Sequence, residues 1–271
     1  MNEEVLPVTQ SLEDSFVYSC LFKDERGYDQ FVPHHVLAFQ FSGETRVQYQ
    51  SGKLVLKKNQ MLLVQKNQLA KSVKFPVEDE VYKSISIIIT DDVLREYAIN
   101  NAIYENKPYT GEKVILLKPD ALMKGYFQSL LAYIEQSENV SKKLAVIKTN
   151  EALALLLHLN PSLKYFLFDF SEPYKIDLEK FMLQNYHYNV SVDQFAKLTG
   201  RSLASFKRDF SKIFKTSPRK WLQEKRLTVA YHLIQEKKQK PIEIYLELGF
   251  ENLSHFYTSF KQKFGVTPAS I

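Results

Sequence analysis

Hydrophobic and polar positions change their period along the chain. From residue 15 to residue 90 apolar side chains recur mostly at every second position, the pattern of strands. It predicts short strands over 16–22, 35–41, 45–49, 53–56, 61–64 and 83–90. Turn signals separate them: Glu25-Arg26-Gly27, Ser42-Gly43-Glu44, Ser51-Gly52-Lys53 and Lys58-Asn59-Gln60. Many short strands at close spacing point to a sandwich or a small barrel. From residue 91 the period lengthens to that of helices. One helix is expected over 91–102, with an acidic start. Pro119 opens a second, with Leu122, Tyr126, Leu130 and Ile134 along one face. Ser141 caps a third that runs to about residue 159. Beyond Lys175 the whole pattern is helical.

Charge divides the chain at the same place as a proline-bounded stretch. Pro161 and Pro173 enclose residues 161–173, where the domain boundary is expected. Residues 1–171 carry 19 basic and 21 acidic side chains, and residues 172–271 carry 17 and 10. Seven excess positive charges on the last hundred residues are the footprint of a polyanion binder. With 45% hydrophobic and 25% charged residues, the composition excludes a mainly disordered or collagen-like chain. The 19 Phe and 16 Tyr against one Trp imply an aromatic core. No apolar run approaches the roughly 18–20 residues that span a bilayer. The start, MNEEVLPVTQSLEDSF, is acidic and lacks the apolar centre of a secretory signal. The single cysteine, Cys20, allows no internal disulfide and no Cys-based zinc site. A soluble, cytoplasmic protein with no membrane contact is expected.

The basic half contains a duplication. At an offset of 50, Leu203/Leu253, Phe206/Phe256, Phe210/Phe260, Phe214/Phe264 and Pro218/Pro268 are identical pairs. Their spacing sets the apolar residues on one face of a helix. Each copy starts at a good N-cap, Ser202 or Asn252. Each is preceded by a short helical stretch and a glycine: 192–198 before Gly200, and 242–248 before Gly249. A short helix, a turn with glycine and a second helix is the helix-turn-helix layout. A long helix from Pro218 to about residue 235 joins the copies. In the first copy Ala204, Lys207, Arg208 and Ser211 lie off the apolar stripe. Small and basic residues there suit close approach to base edges and phosphates in a major groove.

Residues 172–271 resemble the AraC/XylS family of bacterial transcription regulators. The pieces are Phe195-Ala196-Lys197-Leu198-Thr199-Gly200-Arg201-Ser202, Phe206-Lys207-Arg208-Asp209-Phe210, Thr216-Ser217-Pro218, Trp221-Leu222, Lys225-Arg226-Leu227 and Ala230. The tail adds Leu248-Gly249-Phe250-Glu251-Asn252, Ser254-His255-Phe256, Phe260-Lys261 and Phe264-Gly265-Val266-Thr267-Pro268. The β-rich start with following helices also resembles the cupin-like sensor and helical dimerisation parts of family members.

The resemblance implies a two-domain α+β protein. A cupin-like β-barrel or sandwich is expected over 1–115 and a helical dimerisation or linker region over 116–171. An all-α DNA-binding domain with two helix-turn-helix units is expected over 172–271. It implies base reading by Ala204, Lys207 and Arg208, and by Leu253, Ser254, Tyr257 and Thr258. Ser202, Asn252, Lys215, Arg219 and Lys220 are phosphate candidates, and Gly200 and Gly249 the turn glycines. Family members often carry a basic residue where Thr258 stands and a small one where Tyr245 stands. The second unit is therefore expected to bind mainly backbone. Double-stranded DNA, RNA polymerase, a homodimer partner and a small-molecule or protein effector are the partners implied.

Other chemistry finds little support. His34 and His35 are adjacent on an expected strand and point to opposite faces, so they cannot chelate one ion. No glycine-rich phosphate loop, nucleophile elbow or paired-His motif is present. No catalytic constellation, metal site or cofactor is expected. Cys20 reads as a small core residue. The stripe of Leu122, Tyr126, Leu130 and Ile134 is either core or a dimer seam. The reading is a sequence-specific DNA-binding transcription regulator, more an activator than a repressor, controlled through its first half. The alternative is a cupin-type ligand-binding or enzymatic module with a nonspecific nucleic-acid anchor.

Overall fold

The computed structural model describes residues 8–12, 15–26, 31–77, 80–104, 108–135, 141–171 and 175–271. The chain divides into two compact units, Met1–Ser171 and Glu172–Ile271.

The first unit is built on two antiparallel sheets. Its strands are β1 (Val8–Leu12), β2 (Phe16–Leu21), β3 (Glu25–Arg26), β4 (Phe31–Val32), β5 (His35–Ser42), β6 (Glu44–Tyr49), β7 (Gly52–Leu56), β8 (Met61–Val64), β9 (Gln68–Phe75), β10 (Tyr82–Ile89) and β11 (Val114–Leu117). One sheet has the order β1-β2-β10-β5-β8-β11. The other runs β3-β9-β6-β7, with β4 also paired to β9.

The larger sheet is apolar on both faces. Val36, Ala38, Leu62 and Val64 pack in one cluster with Val47 and Leu56 of the smaller sheet. Their neighbours Leu37, Phe39, Met61 and Leu63 belong to a second cluster, shared with helices. Strict alternation therefore yields continuous apolar runs such as Met61-Leu62-Leu63-Val64.

Those helices are α1 (Asp91–Asn100), α2 (Ala121–Glu135), α3 (Lys142–Leu159) and α4 (Leu163–Leu167). Asp120 accepts the Met123 amide at 2.8 Å at the start of α2, and Ser141 caps α3. Helix α1 stops short of the expected residue 102; Ala102 has a left-handed φ of 52°.

Several expectations need correction. Strands β1, β3, β4 and β9 carry too few apolar residues, or too short a run, to stand out in the pattern; β11 is as apolar as β8 but lies beyond the first helix, outside the strand-patterned stretch. Strand β9 buries only Leu69 and Ala70; it forms because β6 pairs with it along Glu44↔Phe75 to Tyr49↔Ala70. The division at 115/116 falls inside β11, which pairs with β8, so the helices after it share the sheet's core. The proline-bounded stretch 161–173 holds α4, whose Leu163, Phe166 and Leu167 are buried in that same core. Tyr126, Leu130 and Ile134 are also buried there and are core, not a dimer seam; Leu122 alone of the four is exposed, at 55%. Cys20 is a buried free thiol.

His35 is wholly buried on β5. Its Nε2 lies 3.3 Å from the Phe166 carbonyl, and its Nδ1 has no partner. Burial and then Lys66 push its pKa down to about 4, against smaller opposing effects of the Phe166 carbonyl, Asp91 and Asp169.

The second unit is helical: α5 (Leu178–Asn185), α6 (Val192–Leu198), α7 (Leu203–Phe214), α8 (Pro218–Gln235), α9 (Pro241–Ile244) and α10 (Leu253–Phe264), then a 3-10 turn over Pro268–Ser270. A reciprocal capping box between Ser191 and Gln194 starts α6. The expected helix over 242–248 is one short helix, α9, continued by turns that close with bonds from the Gly249 amide to the Leu246 carbonyl and from the Phe250 amide to the Tyr245 carbonyl.

Candidate nucleic-acid interface

The two halves of the duplication fold alike. Helix α6 runs into Gly200 at φ 64°, and the stretch after α9 ends in Gly249 at φ 87°. Both are left-handed conformations that glycine adopts without strain. Ser202 then accepts the Ser205 amide at 3.3 Å, and Asn252 accepts the His255 amide at 2.8 Å. These bonds start α7 and α10. Phe206, Phe210, Phe256 and Phe260 are all fully buried. The two helices end alike, at Lys215 with φ 56° and at Gly265 with φ 76°.

Helix α8 serves each copy with one aromatic ring. Trp221 lies 4.6 Å from Phe214 and 5.6 Å from Phe210, centroid to centroid. Tyr231 lies 4.7 Å from Phe264 and 6.1 Å from Phe260. Ten residues of helix separate the two rings, a rise of about 15 Å. Lys263 adds a polar tie from α10, donating to the Glu224 carbonyl and the Thr228 hydroxyl. Burial lowers the pKa of that ammonium.

The outer faces differ in charge. On α7, Ala204, Lys207, Arg208, Ser211 and Lys212 are exposed. On α10 the exposed residues are Ser254, His255, Thr258, Lys261, Gln262 and Lys263, the last tied back to α8. Leu253 and Tyr257 are only half-exposed and pack against the second unit's core, which leaves Ser254 and Thr258 as the open positions of the four expected. The Thr258 hydroxyl donates back to the Ser254 carbonyl at 3.0 Å. Ser202 and Asn252 use their side-chain oxygens as caps. The Ser202 proton and the Asn252 amide group remain the donors that a phosphate would need. Lys215, Arg219 and Lys220 are exposed around the start of α8, with Glu224 3.9 Å from Lys220.

Two arginines absent from the expected site shape it. Arg201 donates to Asp209 at 3.2 Å and to the carbonyls of Ile176 and Thr199. That hydrogen bond is the main reason the Asp209 carboxyl titrates below its ordinary range. Arg208, beside it, reaches Ser205 at 3.3 Å and Asp209 at 3.7 Å. In the middle of α8, Arg226 donates to three carbonyls: Tyr186 at 2.8 Å, Tyr188 at 2.8 Å and Gly249 at 3.0 Å. Burial lowers its pKa to about 10, which leaves it charged at neutral pH. The sequence holds Arg226 in the family-like run Lys225-Arg226-Leu227, but no local signal says which carbonyls it serves.

Two family models match the chain. One, described as a helix-turn-helix domain, covers residues 195–271. The other, described as the ExsA N-terminal regulatory domain, covers residues 35–167. A regulatory domain followed by a helix-turn-helix domain is the layout of AraC-type regulators, which the chain resembles over both stretches.

The virulence regulon transcriptional activator VirF of Yersinia enterocolitica is 28% identical over 162 residues, 59% of this chain and 59% of its own length. The HTH-type transcriptional regulator ExsA of Pseudomonas aeruginosa is 30% identical over 128 residues, 46% of each chain. The match to these curated relatives thus spans about half to three-fifths of their length. A crystal structure of ToxT from Vibrio cholerae covers 94% of this chain and 97% of its own, at 15% identity and a TM-score of 0.44.

Among the described residues no helix is long and apolar enough to cross a membrane. Nor do any three or more His, Cys, Asp or Glu side chains cluster as a metal site would require.

Proposed function

We propose that this protein is a transcription activator that reads DNA through α7 and α10 and is governed by its first unit. The observation that carries the reading is the paired geometry: two capped helices, each packed through buried phenylalanines against one shared helix, in the half that holds the excess positive charge. Arg208 and Lys207 read bases from α7, with Ala204 allowing close approach. Ser254 and Thr258 face DNA from α10, a neutral pair that contributes mainly backbone contacts. Ser202, Asn252, Lys215, Arg219 and Lys220 contact phosphates, which set register and orientation. The two helices enter adjacent stretches of the major groove about one helical turn apart.

The first unit, residues 1–171, receives the signal, and residues 172–271 bind DNA and help recruit RNA polymerase. The activator names of the Yersinia relatives support the direction of the output. The signal is a small molecule or a protein partner. The role is binding and not catalysis, in a soluble protein of the cytoplasm.

The test is an in vitro selection of random duplexes by the full-length protein at one stated salt concentration. Enrichment of two short elements about 10 base pairs apart is expected. Absence of any enriched motif, both for the full chain and for residues 172–271, would reduce the basic half to a nonspecific anchor.

A further inference from the structure

We propose that Arg226 is a positioning residue that sets the two DNA-reading helices at the relative placement a two-element site demands. The proposal rests on the two-unit DNA-reading function above.

Its three acceptors belong to two different parts of the duplication. Tyr186 and Tyr188 lie in the segment that leads into the Ser191 cap of α6, in the first unit of the pair. Gly249 is the turn glycine that leads into α10, in the second. One guanidinium on the connecting helix therefore ties both. A planar group with five N–H donors in a fixed fork can serve several carbonyls at once; the point-like ammonium of lysine cannot reproduce that geometry.

Two further observations locate the same junction. The Asn189 side chain donates to the Glu251 carboxylate at 2.8 Å, a second bridge between these two segments. The Gly249 turn is also closed tightly over Arg226. A Cβ at Gly249 would stand 2.9 Å from the guanidinium carbon and 2.9 Å from the His187 carbonyl.

The recognition helices do not depend on this junction for their own packing. Phe214 packs against Trp221 and Phe264 against Tyr231 with tilted rings, so each helix is held to α8 by its own aromatic contact. Loss of Arg226 therefore leaves two folded readers whose mutual geometry is loosened. A pre-placed second reader binds with little further ordering; a loosened one must be ordered on each encounter. The penalty falls on sites that need both readers.

The experiment compares full-length protein with Arg226→Lys and Asn189→Ala on three duplexes: the selected two-element site and the same site with either element scrambled. Thermal unfolding is followed in parallel. Arg226→Lys should weaken two-element binding about tenfold, a fraction of the gain that linking two binding modules delivers. It should leave each one-element affinity within about twofold, and it should bind duplexes with one base pair added between the elements with less discrimination than the parent. Asn189→Ala should shift in the same direction by less. Equal weakening on all three duplexes would overturn the proposal, because that is the mark of a residue needed only for stability. Parent-like binding and parent-like spacing preference would overturn it too. If the parent itself does not prefer the two-element site, the two-unit reading fails first, and the Arg226 role fails with it.

Discussion

Arg201 and Asp209 pair at 3.2 Å, joining the residue after the Gly200 turn to the middle of the first recognition helix. Arg201 is nearly buried and also satisfies two backbone carbonyls. Arg201→Met should leave those carbonyls and Asp209 without their donor and destabilise the second unit by about 1–3 kcal/mol. Lys197→Met removes an exposed i,i+4 pair with Asp193 and should cost under about 0.5 kcal/mol. Chemical denaturation of residues 172–271 checks the contrast. Equal losses would show that the Arg201 pair is a surface pair like the other.

Arg208 and Lys207 are adjacent and exposed, and they should fail in different ways when truncated. Arg208→Ala should weaken binding by about 1–3 kcal/mol and relax preference at one base position. Lys207→Ala should relax a neighbouring base position by less, because a point-like ammonium fixes one base less sharply than the forked guanidinium, and should lower the slope of log K against log salt by about 1. Thr258→Ala should barely move that slope. Salt titrations on the selected site and on single-base variants separate the three. Arg208→Ala binding every variant as the parent does would remove it from the base-reading set.

Leu130 and Leu122 lie on the same helix, yet Leu130 is 3% exposed and Leu122 is 55% exposed. Leu130→Ala should destabilise the first unit by about 2–5 kcal/mol, and Leu122→Ala by under about 0.5 kcal/mol. Urea unfolding of the full chain gives both values. A large loss at Leu122 would mean that its exposed face is covered in solution.

His35 makes the first unit acid-sensitive. Its folded pKa, about 4, is below the ordinary value of 6.5, so the unfolded chain binds the proton more readily. Stability is fully present above about pH 6.5 and falls as pH drops toward 4, by roughly 3 kcal/mol in all. His35→Gln removes the titrating group and should flatten this part of the profile. Melting curves between pH 7 and pH 4.5 test it; a parent profile as flat as the variant's would show that His35 is solvated in acid without unfolding.

Much of the second unit is readable in one dimension, because its signals are local. Caps at Ser191, Ser202 and Asn252 act within three residues, and the phenylalanine stripes repeat at helical spacing. The exposed residues of α7 follow from that stripe by simple rotation. The first unit is less legible. Strands such as β9 owe their existence to cross-strand partners far along the chain. The residues read as a dimer seam were ambiguous for the same reason: an apolar stripe states that a face is covered, but not by what. Only the packing of α2 on the sheet and α3 identifies Tyr126, Leu130 and Ile134 as internal. Leu253 and Tyr257 show the same limit on a smaller scale, half withdrawn into the core of the unit they were expected to read with.

The sequence by itself determined two halves of different charge, the duplicated helix-turn-helix in the second, the lone cysteine and the period of nearly every helix. Those features depend on residue type and near-neighbour spacing, which the chain carries wherever it folds. The tertiary structure decided which apolar faces are core and how Arg201 and Arg226 spend their donors. It also left His35 buried with one nitrogen unpartnered. Each of these joins residues distant in sequence, and a buried donor or charge is settled only by what the rest of the chain brings beside it.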